Sequence, residues 1–115
     1  MREAHDLTIY GIANCDKVRA VMKWCREHGL PCQLHDYRRD GLDEALLDQL
    51  LQQFPFDALL NKRSSTWRTL AEERKQHPDK SLLREYPTLI KRPIVHWQEN
   101  WLLAATPGQL EELME

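Results

Sequence analysis

The chain opens on a short apolar run. Leu7 to Gly11 (LTIYG) is rich in β-branched and aromatic residues and ends on a glycine, which predicts a buried strand. Val18, Val21, Met22 and Cys25 then recur at helical spacing, and His28-Gly29 supplies a stop. After Pro31, Cys32, Leu34 and Tyr37 resume an extended pattern. Strand, helix and strand within about thirty residues make a βαβ unit, with parallel strands and a right-handed crossover.

From Leu42 to Leu60 the apolar period turns helical. Leu46, Leu47, Leu50, Leu51 and Phe54 form one stripe, Pro55 ends it, and Leu59-Leu60 closes a second short helix. Asn61 to Thr66 (NKRSST) reads as a polar, basic loop, and Trp67 to Arg74 as a further helix. Pro78-Asp79 opens another through Tyr86, with Asp79 as its cap. Beyond Pro87, Ile94–Trp97 and Trp101–Ala105 are two strands joined by the hairpin-length stretch Gln98 to Asn100. Thr106 caps a final amphipathic helix that has Pro107 at its first position.

The order β-α-β, helical insert, β-β-α predicts an α/β protein of thioredoxin-like topology, with a four-stranded mixed sheet. The expectation is a single domain over residues 1–115, with a helical insertion subdomain at about 42–87. No repeat or linker interrupts it.

Composition narrows the class without naming a chemistry. Hydrophobic content is 42% and charged content 30%, ordinary for a globular chain and too apolar for disorder. No apolar run approaches the roughly 18 residues of a spanning helix. The polar stretch Met1 to Asp6 lacks the layout of a secretory signal. A net charge of -2 gives no global attraction to nucleic acid or membrane, so neither is an expected partner. Three cysteines make an odd count, which fits a reduced cytoplasmic protein with one working thiol better than a disulfide-stapled secreted one. His5, His28, His35, His77 and His96 show no ligand spacing with cysteines, so no metal site is expected. Trp67, Trp97 and Trp101 read as packing residues rather than a platform for bases.

Chemistry concentrates at Cys15. It follows the C-terminal end of a parallel strand and precedes a helix, where α/β folds hold ligands. Free N–H groups and the positive end of the helix dipole favour a thiolate there, and Lys17 and Arg19 add positive charge. Lowering a thiol pKa from about 8.5 to about 6.5 raises the thiolate fraction at pH 7 from roughly 3% to roughly 75%. That change needs only about 2.7 kcal/mol of differential stabilisation.

Neither other thiol is placed to resolve Cys15. Cys25 lies ten residues further along the same helix, about 15 Å along its axis. Cys32 opens the second strand whereas Cys15 follows the end of the first, so the two belong to opposite sheet edges. A disulfide needs Cα atoms within about 7 Å. Val18 stands where a C-x-x-C motif would carry its second cysteine. A disulfide on Cys15 is therefore expected to be attacked by an outside thiol, and in the cytosol glutathione is the abundant one. Cys25 and Cys32 read as core packing. Two basic clusters, Lys91-Arg92-Pro93 and Lys62-Arg63 with Arg68, could converge on Cys15, where an arginine fork suits a carboxylate or oxyanion.

Four segments carry a family resemblance. They are YGIANCDKVR at Tyr10 to Arg19, HDYRRDGL at His35 to Leu42, ALLNKRSSTWR at Ala58 to Arg68, and IKRPI at Ile90 to Ile94. With these the chain resembles the arsenate reductase/Spx (ArsC) family nearly end to end, and most closely its YffB-like branch. The resemblance implies that Cys15 is the nucleophile and forms a mixed disulfide with glutathione, and that arginines around it bind an oxyanion. Arg92 matches one such arginine directly. Arg63 lies near the second, whose best-aligned place holds Asn61, and the third falls at Trp101-Leu102-Leu103, where no basic residue stands. Arsenate is thus the less expected substrate. The Arg92-Pro93 bond is expected to be cis.

The candidate site is then Cys15 as nucleophile, with Arg92, Arg63, Lys62, Asn61, Arg19, Asn14 and Pro93 as substrate- or anion-binding residues and no metal. The first functional reading is a glutathione-dependent thiol/disulfide oxidoreductase, with glutathione as co-substrate, no bound cofactor, and an oxidised protein or small oxyanion as substrate. The alternatives are an arsenate reductase linked to glutathione or glutaredoxin, and a non-catalytic Spx-like regulator binding RNA polymerase. Val18 removes the C-x-x-C switch that the last would use. A monomer is expected.

Overall fold

The computed structural model describes residues 7–114. These form two compact units by their contacts, one built from the stretches through Asp40 and from Arg92 onward, the other Gly41–Lys91.

The first unit holds a four-stranded sheet in the order β2-β1-β3-β4, with β1 at Leu7–Gly11, β2 at Cys32–Asp36, β3 at Ile94–Trp97 and β4 at Asn100–Leu103. β1 runs parallel to β2 and antiparallel to β3, so the sheet is mixed as the element order predicts. Two helices, α1 at Asp16–Glu27 and α7 at Pro107–Met114, cover one face. Strand alternation sends Leu7, Ile9 and Val95 into that face, where Val18, Val21, Trp24 and Leu110 meet them. The opposite face carries Tyr10 and His96, against which Trp101 stacks at ring separations of 6.0 Å and 3.9 Å. Trp97 packs on the helix-covered side. Both tryptophans therefore have packing partners.

The ends of the elements follow their local chemistry. Gly29 at φ 62 turns the chain out of α1, and Leu30 N–H returns to the Cys25 carbonyl at 2.9 Å. Thr106 accepts from Gln109 N–H at 3.2 Å while Gln109 Oε1 accepts from Thr106 N–H at 3.0 Å, a reciprocal cap on α7. The last hairpin is tighter than the sequence reading. β4 begins at Asn100 rather than Trp101 and ends at Leu103, because Gln98 adopts a left-handed φ of 56 and closes a two-residue turn.

The second unit contains α2 at Glu44–Gln53, α3 at Phe56–Leu59, α4 at Ser65–Thr69, α5 at Glu72–Gln76 and α6 at Lys80–Glu85. A short 3-10 turn follows at Pro87–Leu89. Leu47, Leu50, Leu59, Leu82 and Leu83 are fully buried. Asp43 and Asp79 cap α2 and α6 through the N–H groups of Leu46 and Leu82. The helix expected over Trp67 to Arg74 is instead two. Ser64 caps α4 through Trp67 N–H, and extended backbone at Leu70 and Ala71 separates it from α5. Neither short helix buries a residue fully, so no continuous apolar stripe held one longer helix together.

Candidate active site

Cys15 is the residue that caps α1. Its backbone is extended (φ -150, ψ 125), its carbonyl accepts the first helical bond from Arg19 N–H at 2.9 Å, and its side chain is half-buried. In the neutral thiol the sulfur makes no cap bond of ordinary geometry, yet the amides of Val18 and Lys17 face it from the first turn. Partial burial opposes ionisation. The Val18 amide, a hydrogen bond from Arg92, the Lys17 amide and the positive charge of Arg92 outweigh that and bring the thiol below its ordinary pKa.

The cation at the thiol is therefore Arg92, from the other end of the chain. Lys17 acts through its backbone rather than its ammonium. Arg19, whose charge was expected to act on the sulfur, is engaged by other groups. Its guanidinium pairs with Asp16 and reaches Asn14 Oδ1 at 3.4 Å and the Ala13 carbonyl at 3.5 Å. The acidic neighbour one position after the cysteine captures it. Asn14 is exposed beside the thiol and holds Arg19 rather than the sulfur.

Arg92 meets Cys15 beside the end of β1. The Arg92-Pro93 bond is cis, as the resemblance implied, and Pro93 is buried with its carbonyl accepting from Ala105 N–H at 2.9 Å. Gly11, the last residue of β1, has no side chain to hold Val18 of α1 off. A Cβ there would lie 2.8 Å from Val18 Cγ2 and 3.5 Å from Arg92 Cβ. The glycine that ended the strand pattern thus lets α1 pack close against the end of β1.

A residue that sequence reasoning passed over fixes the loop before the thiol. Asp36, at the end of β2, is only 7% exposed. Its carboxylate accepts from Ala13 N–H at 3.0 Å, Arg38 N–H at 2.8 Å and Arg39 N–H at 3.4 Å. Burial works against the charge, but the amides of Ala13, Arg38 and Arg39 prevail and lower its pKa. Ala13 lies two residues before Cys15, so Asp36 positions the Cys15 loop without touching sulfur. The signal was the first aspartate of the HDYRRDGL segment. Next to it, Tyr37 is buried, with its backbone N–H on the Gly11 carbonyl at 2.8 Å. Its hydroxyl has no hydrogen-bond partner among the described residues. Burial, the largest influence, raises its pKa.

Asn61, Lys62 and Arg63 belong to the second unit. Asn61 Oδ1 accepts from Arg63 N–H at 3.0 Å, the Asn61 N–H reaches the Leu89 carbonyl at 2.7 Å, and the Lys62 ammonium sits 5.5 Å from the Trp67 ring centre. The Arg63 side chain is exposed. Among the described residues no group of three or more His, Cys, Asp or Glu could hold a metal ion, and His5 lies outside them. No helix is long and apolar enough to cross a membrane, again among the described residues.

The chain is similar to known proteins along most of its length. Residues 10–113 match the model of the ArsC family. The chain is 53% identical over 93 residues to an uncharacterised protein of Haemophilus influenzae, a match covering 77% of this chain and 82% of that protein. Among solved structures it is similar to a protein named YffB, at 26% identity and a TM-score of 0.84, covering 95% of this chain and 99% of the other. It is also similar to an arsenate reductase (ArsC) related protein from Brucella melitensis, at 31% identity and a TM-score of 0.76, with 100% and 99% covered. A thioredoxin-type sheet, a cysteine capping its first helix and an arginine before a cis-proline thus meet in one chain, and the protein belongs to the ArsC family, in its YffB-like branch.

Proposed function

We propose that the protein is a glutathione-dependent thiol/disulfide oxidoreductase that works through Cys15 alone. ArsC membership and the similarity to an arsenate reductase related protein support a reductase. The observation that carries the finer reading is an activated thiol with no resolving partner. Arg92 and two helix amides stabilise the Cys15 thiolate. Cys25 lies near the far end of α1, and the register Leu7↔Cys32, Gly11↔Asp36 puts Cys32 beside the start of β1, whereas Cys15 follows its end.

The chemistry then balances with glutathione as the second thiol. The Cys15 thiolate attacks the glutathione sulfur of a mixed disulfide, forming a Cys15–glutathione disulfide and releasing the substrate as thiolate. A second glutathione thiolate attacks that disulfide at the glutathione sulfur, giving oxidised glutathione and returning the Cys15 thiolate. Arg92 stabilises each thiolate form of Cys15, and its guanidinium is the proposed contact for an anionic carboxylate of glutathione or an oxyanion.

A second reading, arsenate reduction, draws on Arg92 beside the thiol and on the name of the Brucella relative. It is weaker because Asn61 and the apolar Trp101-Leu102-Leu103 stand where two arginines would bind the oxyanion.

Incubation with oxidised glutathione, followed by intact mass and peptide mapping, tests the first reading. A glutathione adduct on Cys15 is expected. Modification of Cys25 or Cys32 with Cys15 untouched would remove it. Glutathione-coupled turnover of a glutathionylated peptide, against the same assay with arsenate and with Cys15→Ser as control, separates the two readings.

A further inference from the structure

The geometry points to a second thiol pair, independent of Cys15: Cys25 and Cys32 are an oxidisable couple that closes an intramolecular disulfide across the α1–β2 turn when a peroxide reaches Cys32.

The pairing follows from register and helix phase together. Cys32 pairs with Leu7, and Leu34 with Ile9, so the Cys32 side chain shares the face on which Leu7 and Ile9 meet α1. The crossover brings the last turns of α1 back to the edge of the sheet where β2 begins. Cys25, fully buried on the inward face of α1, lies there, and Cys32 packs against the same cluster. The turn between them is held by Leu30 N–H on the Cys25 carbonyl at 2.9 Å and Leu7 N–H on the Pro31 carbonyl at 3.1 Å. The two thiols come within hydrogen-bonding reach of each other.

The two sulfurs differ in access, which assigns the order of events. Cys32 is half-buried and stands on β2, an edge strand, so an oxidant can reach it. Cys25 is closed to solvent, and burial, then the neighbouring Cys32, push its pKa up to about 12. Cys25 thus stays protonated and inert toward external oxidants. Peroxide is attacked by the Cys32 sulfur: the O–O bond breaks, an S–O bond forms, and Cys32 becomes a sulfenic acid with release of water. The Cys25 sulfur then displaces the hydroxyl, which leaves as water with the Cys25 proton, and the S–S bond closes. Overall two thiols lose two electrons and two protons while one peroxide becomes two waters.

Because Cys32 lies at the opposite end of the parallel pair from Cys15, this disulfide does not resolve the Cys15 adduct. Instead it keeps the half-buried thiol of Cys32 from overoxidation under peroxide stress.

The test uses the full chain with Cys15→Ser, which leaves both other thiols native. After mild hydrogen peroxide, intact mass is expected to fall by two hydrogens, and a tryptic digest to join peptide 24–26 to peptide 27–38, since trypsin cleaves after Arg26. Adding Cys25→Ala is expected to strand Cys32 as a sulfenic acid that dimedone traps. Oxygen added at Cys32 without loss of hydrogens in the Cys15→Ser chain, or a disulfide joining two chains, would overturn the assignment. The first measurement does not depend on how the Cys25 variant folds.

Discussion

Arg92 donates a hydrogen bond to the sulfur of Cys15, although the two residues come from opposite halves of the sequence. One sits before the cis-proline that precedes β3, the other at the start of α1, and Gly11 lies beside Arg92. The reactivity of the thiol is a property of that meeting rather than of the cysteine's own neighbours.

Replacing Arg92 by methionine keeps most of the packing and removes the charge. A hydrogen bond to a charged group contributes about 1.5 kcal/mol or more, so the Cys15 pKa is expected to rise by about one unit. The pH dependence of iodoacetamide alkylation of Cys15 reads this directly. Arg19→Met is expected to leave that profile in place, since Arg19 is engaged by Asp16. The sign of the linkage is fixed as well. A thiol whose folded pKa is depressed adds stability that grows as pH rises through the folded value and is complete above about 8.5. The stability difference between the native chain and Cys15→Ser should therefore widen with rising pH.

Asp36 is expected to matter more for folding of the active loop than its distance from the sulfur suggests. Asp36→Ala leaves three backbone amides without their acceptor and should cost about 3 kcal/mol in urea unfolding. Its folded pKa is lowered. Its contribution is thus complete above the unfolded value near about 3.9 and is lost as pH falls below it. Asp36→Asn should flatten that acid limb of the stability profile, and an unchanged limb would count against the role.

Gly11→Ala puts a methyl group 2.8 Å from Val18 Cγ2. Overpacking of this kind costs about 1–3 kcal/mol. In a Val18→Ala background the clash is gone, so the penalty of Gly11→Ala should shrink. A double-mutant cycle by thermal melting measures the coupling.

Tyr37→Phe removes a buried hydroxyl that has no hydrogen-bond partner among the described residues. Stability is expected to hold or to rise by up to about 1 kcal/mol, because the hydroxyl is desolvated without compensation. A loss of several kcal/mol in the same unfolding assay would show that the group is satisfied in solution.

Much of this was legible before any coordinates. LTIYG needed burial, the Val18, Val21 and Cys25 period needed a face to cover, and Gly29 and Thr106 declared their helix ends through φ and capping chemistry. Cys15 at a strand-to-helix turn marked the chemistry because that position offers amides to a thiolate. Trp67 to Arg74 misled because helical propensity over a few residues is weak, and two separate caps divided the segment.

The sequence by itself determined the element order, the cysteine at the first strand-to-helix turn and the closed route to a C-x-x-C pair, since periodicity, capping and spacing are local properties. Only the tertiary structure decided which cation serves the thiol, which carboxylate holds its loop, and which cysteines face each other. Arg19 lies four residues from Cys15 but is captured by Asp16, while Arg92 arrives through the β1–β3 pairing. Cys25 and Cys32 meet because strand register and helix phase coincide there. Such encounters depend on long-range pairing, and no window along the chain contains them.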